Sequence, residues 1–202
     1  RGTVEHREKE RMAAAKILGV TFRDTLGLHD AHLRDTDDAR RKAVAAIRKY
    51  QPDFVFTHYN VTRHPDHRVT HEIVTAASFL GGVGGFSTAA DKPGKPVPDS
   101  QRHRPKKLIF FREWYDVPPS FIVDISDVID IKLNAIAAFE SQVDPNFPAP
   151  PTVLSDVNFR DRLLASSRYY GTLIGVQHGE AFFTYGIIGA DDPLRLLSKT
   201  RY

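Results

Sequence analysis

The stretch THYNVTRHPDHRVTHEI, residues 57–73, carries four histidines, and the whole chain has nine His and no Cys. Within it, His64-Pro65-Asp66-His67 packs two imidazoles and a carboxylate into four positions. A neutral imidazole is a common zinc ligand, and a second imidazole can give or take a proton near pH 7. An Asp two residues from His64 is suited to orient its ring and stabilise the charged form. Pro65 followed by Asp66 is equally an ordinary helix start with exposed histidines, and the four residues alone leave both readings open. His67 and His71 are four apart, a spacing that can ligate metal on a helix. The glutamate of an HExxH pair is missing, however, so His71 is expected to face solvent.

Other chemistries lose their usual supports. Without Cys there is no thiolate nucleophile, disulfide framework or Cys-ligated zinc, so any transition-metal site must use His and carboxylates. GGVGGFS has Ser87 where the last Gly of GxGxxG would stand, and neither GxSxG nor GxxxxGK[ST] occurs. The charge of +3 is spread along the chain, and the basic run Arg102–Lys107 reads as the solvated lead-in to a strand. Neither a nucleic-acid partner nor a membrane is expected. No apolar run spans a bilayer and no signal peptide is evident, so the default location is cytoplasmic.

The elements around the cluster read as helix–strand–helix. Thr3 caps a helix carrying Met12, Ala15, Ile17 and Leu18, which Gly19 stops. Val20–Phe22 is a short strand candidate. Thr36-Asp37-Asp38 opens a second helix with Ala43, Val44, Ile47 and Tyr50, ended by Gln51-Pro52-Asp53. Phe54–Thr57 is a run of the buried-strand type, and Pro65 begins a third helix through about Leu80. Residues 81–105 form a long Gly/Pro-rich loop. Lys107–Phe111 and Phe121–Ile125 are further strands, and Asp127–Gln142 and Asp156–Leu173 are helices. This rhythm predicts an α/β fold: a Rossmann-like, mostly parallel sheet flanked by helices, in a single domain spanning residues 1–202. Ligands of such sheets sit beyond the carboxyl ends of the strands, where the histidine cluster follows Phe54–Thr57.

Several segments together carry a family likeness: Arg1-Gly2-Thr3 with its charged helix, THYNVTRHPDHR, HRPKKLIFF, PSFIVDISD, KLNAIAAFESQ and LIGVQHGEAF. In this order they resemble the LmbE-like (PIG-L) family of zinc-dependent N-acetyl sugar deacetylases, and within it the bacillithiol-biosynthesis deacetylases. The resemblance implies hydrolysis of the acetamide of an N-acetylglucosaminyl conjugate, such as N-acetylglucosaminyl malate. It makes His67 a zinc ligand and gives His64 and Asp66 acid/base or electrostatic roles. His178 stands where the bacillithiol-type enzymes often have an oxyanion-holding Tyr. Arg1 and Arg63 become candidates for gripping substrate oxygens. The partner is then a small N-acetyl sugar, and the family often forms homo-oligomers. The family's AHPDDE motif, which supplies the other zinc ligands, does not occur in this sequence. It is expected upstream of Arg1, together with the first strand or strands, so that the 202 residues alone would be inactive. The alternative is a non-catalytic, sugar-binding relative.

Overall fold

The computed structural model describes residues 1–89, 91, 94–113, 117–189 and 191–192. Six α-helices and four strands are formed by the described residues: α1 (Val4–Ile17), α2 (Asp37–Tyr50), β1 (Phe54–His58), α3 (Pro65–Leu80), β2 (Lys107–Phe111), β3 (Phe121–Asp124), α4 (Ile129–Ala137), α5 (Glu140–Val143), α6 (Phe159–Leu173) and β4 (Gly179–Phe183). The strands make one sheet in the order β1-β2-β4-β3. The chain divides into two compact units. One comprises residues 1–24, 122–180 and 190–202, and the other residues 25–121 and 181–189.

In the second unit, α2 and α3 pack through Ala39, Ala43, Val44, Ile47, Ile73 and Ala77, all buried. Both helices begin as their sequences dictate. The Thr36 hydroxyl accepts the Ala39 N–H, and Pro65 occupies the first turn of α3 behind His64. Gln51 ends α2 in the left-handed region at φ 45°. Arg48, itself buried, ties the helix pair together. It donates to the carbonyls of Leu80, Gly81 and Val83 at the end of α3 and to the carboxylate of Asp91. β1 and β2 run parallel, with His58 opposite Phe111. The lead-in to β2 is held as well as solvated: His103 Nε2 lies 2.7 Å from the carbonyl of Pro52, and the Arg104 guanidinium lies over Phe79.

In the first unit, α1 is capped by Thr3 and followed by Gly19 at φ 66°. Its buried residues are Glu10, Ala14 and Ala15. Met12, Ile17 and Leu18 are exposed. Glu10 accepts the backbone N–H and the hydroxyl of Ser141 on α5.

Five expectations change. The sheet is mixed rather than mostly parallel, because β4, which pairs antiparallel with β2, lies in a segment where no strand was foreseen. Val20–Phe22 is irregular backbone, with Val20 and Phe22 exposed rather than packed on a core. Phe54 and Phe56, two apart and so on one face of β1, are each 55% exposed, whereas Thr57 on the opposite face is buried. Asp127–Gln142 is a 3-10 turn, then α4, then α5: Phe139 leaves helical dihedrals, and the Ser141 N–H goes to Glu10. The last helix starts at Phe159, after Asp156 has taken the Asn158 N–H in a local turn. The Gly/Pro-rich loop at 81–105 contains one 3-10 turn, Asp99–Gln101; residues 90, 92 and 93 within it lie outside the described residues.

Candidate metal and acid/base site

The site is built where two parallel strands end side by side. His58 is the last residue of β1, and Glu113 lies two residues past its register partner Phe111. His67, in the first turn of α3, completes the group. The three residues offer ligand atoms that all lie within 4.8 Å of one another. Glu113 Oε1 is 2.6 Å from His58 Nδ1 and 2.5 Å from His67 Nδ1. Its other oxygen accepts the hydroxyl of Thr62. The two imidazoles stack with centroids 3.9 Å apart.

The donor set fits a borderline cation such as zinc, which takes imidazole nitrogen and carboxylate oxygen. One atom points the same way. His67 Nδ1 is buried and, despite its close approach to Glu113, makes no hydrogen bond of acceptable geometry. The protonation states also suit a ligand. Burial and the adjacent His58 hold the His67 pKa below that of an ordinary imidazole, against the opposing pull of Glu113. Burial alone would raise the Glu113 pKa, but the hydrogen bonds from His58 and Thr62 outweigh it and hold the carboxyl below its ordinary value. Metal ligands must be deprotonated in this way.

His64 lies beside the group, its ring centroid 4.8 Å from that of His67. It is the N-cap of α3, and its Nδ1 accepts the backbone N–H of Asp66 at 3.1 Å. The neutral ring therefore carries its proton on Nε2. The Asp66 carboxylate accepts the N–H of Ala31 at 2.6 Å, where Ala31 adopts φ 61°. Asp66 thus ties Ala31 to the first turn of α3.

Residues 1–78 match the family model PIG-L, described as GlcNAc-PI de-N-acetylase. The conserved protein TT1542 from Thermus thermophilus superposes with a TM-score of 0.78 at 31% identity, covering 94% of this chain and 77% of that one. The chain belongs to the LmbE-like, PIG-L family. Two other relatives carry functional names. Diacetylchitobiose deacetylase of Thermococcus kodakarensis is 30% identical over 185 residues, 90% of this chain. The chain spans 63% of the length of that curated relative. The N,N′-diacetylchitobiose deacetylase from Pyrococcus horikoshii, solved with its inhibitor MPG, has a TM-score of 0.72 at 27% identity, with 94% of this chain and 68% of that one covered. These names do not favour the bacillithiol branch.

In this family member the remaining site residues foreseen from sequence are placed as follows. Arg63 is exposed, between Thr62 and His64. Arg1 donates through Nη2 to the carbonyls of Asp144 and Phe147, while its Nε and Nη1 are buried without a hydrogen-bond partner. His178 is 4% exposed, its Nδ1 lying 2.8 Å from the Ser167 hydroxyl. Arg1 and His178 belong to the first unit, whereas His58, Arg63, His64, Asp66, His67 and Glu113 belong to the second. His71, expected at the surface, is only 7% exposed. Sequence reasoning passed over Glu113. The available signal was a carboxylate just beyond a strand that pairs in parallel with the His58 strand.

Proposed function

We propose that this protein is a metal-dependent N-acetyl sugar deacetylase, with His67 as a zinc ligand and His58 and Glu113 as its partners within this chain. The observation that carries the reading is the convergence of two imidazoles and an ionised carboxylate at the carboxyl ends of β1 and β2. Zinc bound there supplies Lewis acidity, polarising an acetamide carbonyl and lowering the pKa of a water molecule. Thr62 orients Glu113 by donating to its second oxygen. With Nδ1 accepting from Asp66, neutral His64 presents Nε2–H, which can donate a hydrogen bond to the acetamide oxygen as negative charge develops there. Asp66 acts as an electrostatic neighbour of His64 and as the anchor of Ala31.

The unpartnered Nε and Nη1 of Arg1 support its assignment to substrate oxygens. Arg63 is assigned the same task, and His178 is assigned to the oxyanion. The substrate class is an N-acetylglucosaminyl compound. By name, two relatives act on diacetylchitobiose, so that disaccharide stands ahead of N-acetylglucosaminyl malate.

The reading is tested by incubating the zinc-loaded protein with N,N′-diacetylchitobiose and with N-acetylglucosaminyl malate and measuring acetate release. Turnover that vanishes in His67→Ala supports it. Turnover surviving in His67→Ala refutes the assignment of His67. Binding of either sugar without acetate release by the 202 residues is also expected where the AHPDDE segment lies upstream of Arg1, and it supports the non-catalytic alternative only where no such segment precedes it.

A further inference from the structure

His71 lies one turn beyond His67 on α3, so both rings leave the same face of the helix. Its Nδ1 is 2.8 Å from the backbone carbonyl of His58, and its Nε2 is 3.0 Å from the hydroxyl of Tyr185, just past β4. A carbonyl can only accept, so Nδ1 carries the hydrogen. Nε2 then has a lone pair, and the Tyr185 hydroxyl donates to it. Both ring nitrogens are satisfied in one neutral tautomer. The ring packs on Phe110, which is fully buried, with centroids 4.9 Å apart, and Phe110 in turn lies 4.7 Å from the Tyr185 ring. Burial, together with Tyr59, pushes the Tyr185 pKa up, so the phenol remains a donor.

We propose that His71 and Tyr185 are positioning residues of the metal site, bracing the His58 peptide so that the His58 ring meets Glu113 and His67 in ligand geometry. This deepens the metal-site reading and rests on it. The bonded carbonyl belongs to the residue that supplies a ligand, and α3 supplies both the brace and the neighbouring ligand. Freed from His71, the last peptide of β1 can rotate and carry the His58 ring with it. Ligand distances must hold to within about 0.2 Å, and groups that orient ligands change metal affinity by roughly 10–100-fold when lost.

The experiment compares His71→Leu, His71→Asn and Tyr185→Phe with wild type in the 202-residue chain. Zinc affinity is read by competition with a chromogenic chelator, and folding by thermal melting. An Asn amide nitrogen can occupy the place of Nδ1. His71→Leu is expected to lose about 10–100-fold in zinc affinity, Tyr185→Phe less, and His71→Asn to recover most of the loss. Equal affinity in folded His71→Leu and wild type overturns the proposal, as does a loss in His71→Asn as large as in His71→Leu. Should His71→Leu fail to fold, His71→Asn and Tyr185→Phe decide. Imidazole 15N spectra of the metal-free protein separate this claim from the metal-site reading. A wild-type chain that takes up no zinc defeats the metal site. Independently, an Nε2–H tautomer of His71 overturns the brace, whereas an Nδ1–H tautomer with His58 resonances displaced in Tyr185→Phe upholds it.

Discussion

His58 and His67 stack with their rings 11° from parallel and present Nδ1 to the same oxygen of Glu113. Two nitrogens and a carboxylate this close are held together either by a proton shared with the carboxylate or by a cation among them. Glu113→Gln distinguishes the two. The neutral amide keeps the shape and loses the charge, so zinc affinity should fall by at least about tenfold while the melting temperature of the metal-free chain changes little. Unchanged affinity by isothermal titration would remove Glu113 from the ligand set.

Asp66 has two candidate tasks that a pair of substitutions can separate. Asp66→Asn retains an acceptor for the Ala31 N–H but not the charge near His64. Asp66→Ala loses both. Turnover should fall far more than zinc affinity in Asp66→Asn, and only Asp66→Ala should accelerate hydrogen exchange at Ala31. Equal activity in Asp66→Asn and wild type would count against an electrostatic partnership with His64.

Arg48 satisfies carbonyls at the end of α3 and pairs with Asp91 at 3.1 Å, both side chains being at most 10% exposed. Its removal leaves a buried carboxylate without its cation, although Thr88 still donates to Asp91. Arg48→Ala should therefore destabilise the protein by about 3–5 kcal/mol in urea unfolding. A loss well under ~1 kcal/mol would mean that water replaces the guanidinium at little cost.

Glu10 links α1 to α5 and gives the protein an acid-sensitive contact. Burial would raise its pKa, but the Ser141 N–H and hydroxyl and the Arg7 guanidinium outweigh burial and hold it below 4.5. The unfolded chain therefore binds this proton more readily than the folded one. The stability it contributes is complete above pH 4.5 and is lost as pH falls through the lower folded value. Glu10→Gln should flatten the fall of melting temperature below that pH. An unchanged acid limb would show that Glu10 is not responsible.

The half of the site that follows local rules was legible in the sequence. Pro65 and Asp66 start α3, His64 caps it, and His67 falls in the first turn for reasons of backbone chemistry alone. The strands at Phe54 and Lys107 were legible from their apolar runs. Glu113 was not, because its meeting with His58, 55 positions away, depends on the β1–β2 register, which no local pattern records. The burial of His71 was hidden for a related reason: its partners are the carbonyl ending β1 and a tyrosine beyond β4, a strand that opens with Gly179 and Glu180 and so shows no clean apolar run. Phe54 and Phe56 show the converse, an apolar run that reads as buried throughout but has one face exposed and the other, at Thr57, buried.

Whether His58, His67 and Glu113 hold a metal is measured most directly by zinc retention in the 202-residue chain. After loading and gel filtration, elemental analysis should find zinc at one per chain in wild type and little in His67→Ala or Glu113→Gln. A wild-type chain that emerges free of zinc, or variants that retain as much as wild type, would contradict a metal site at these residues.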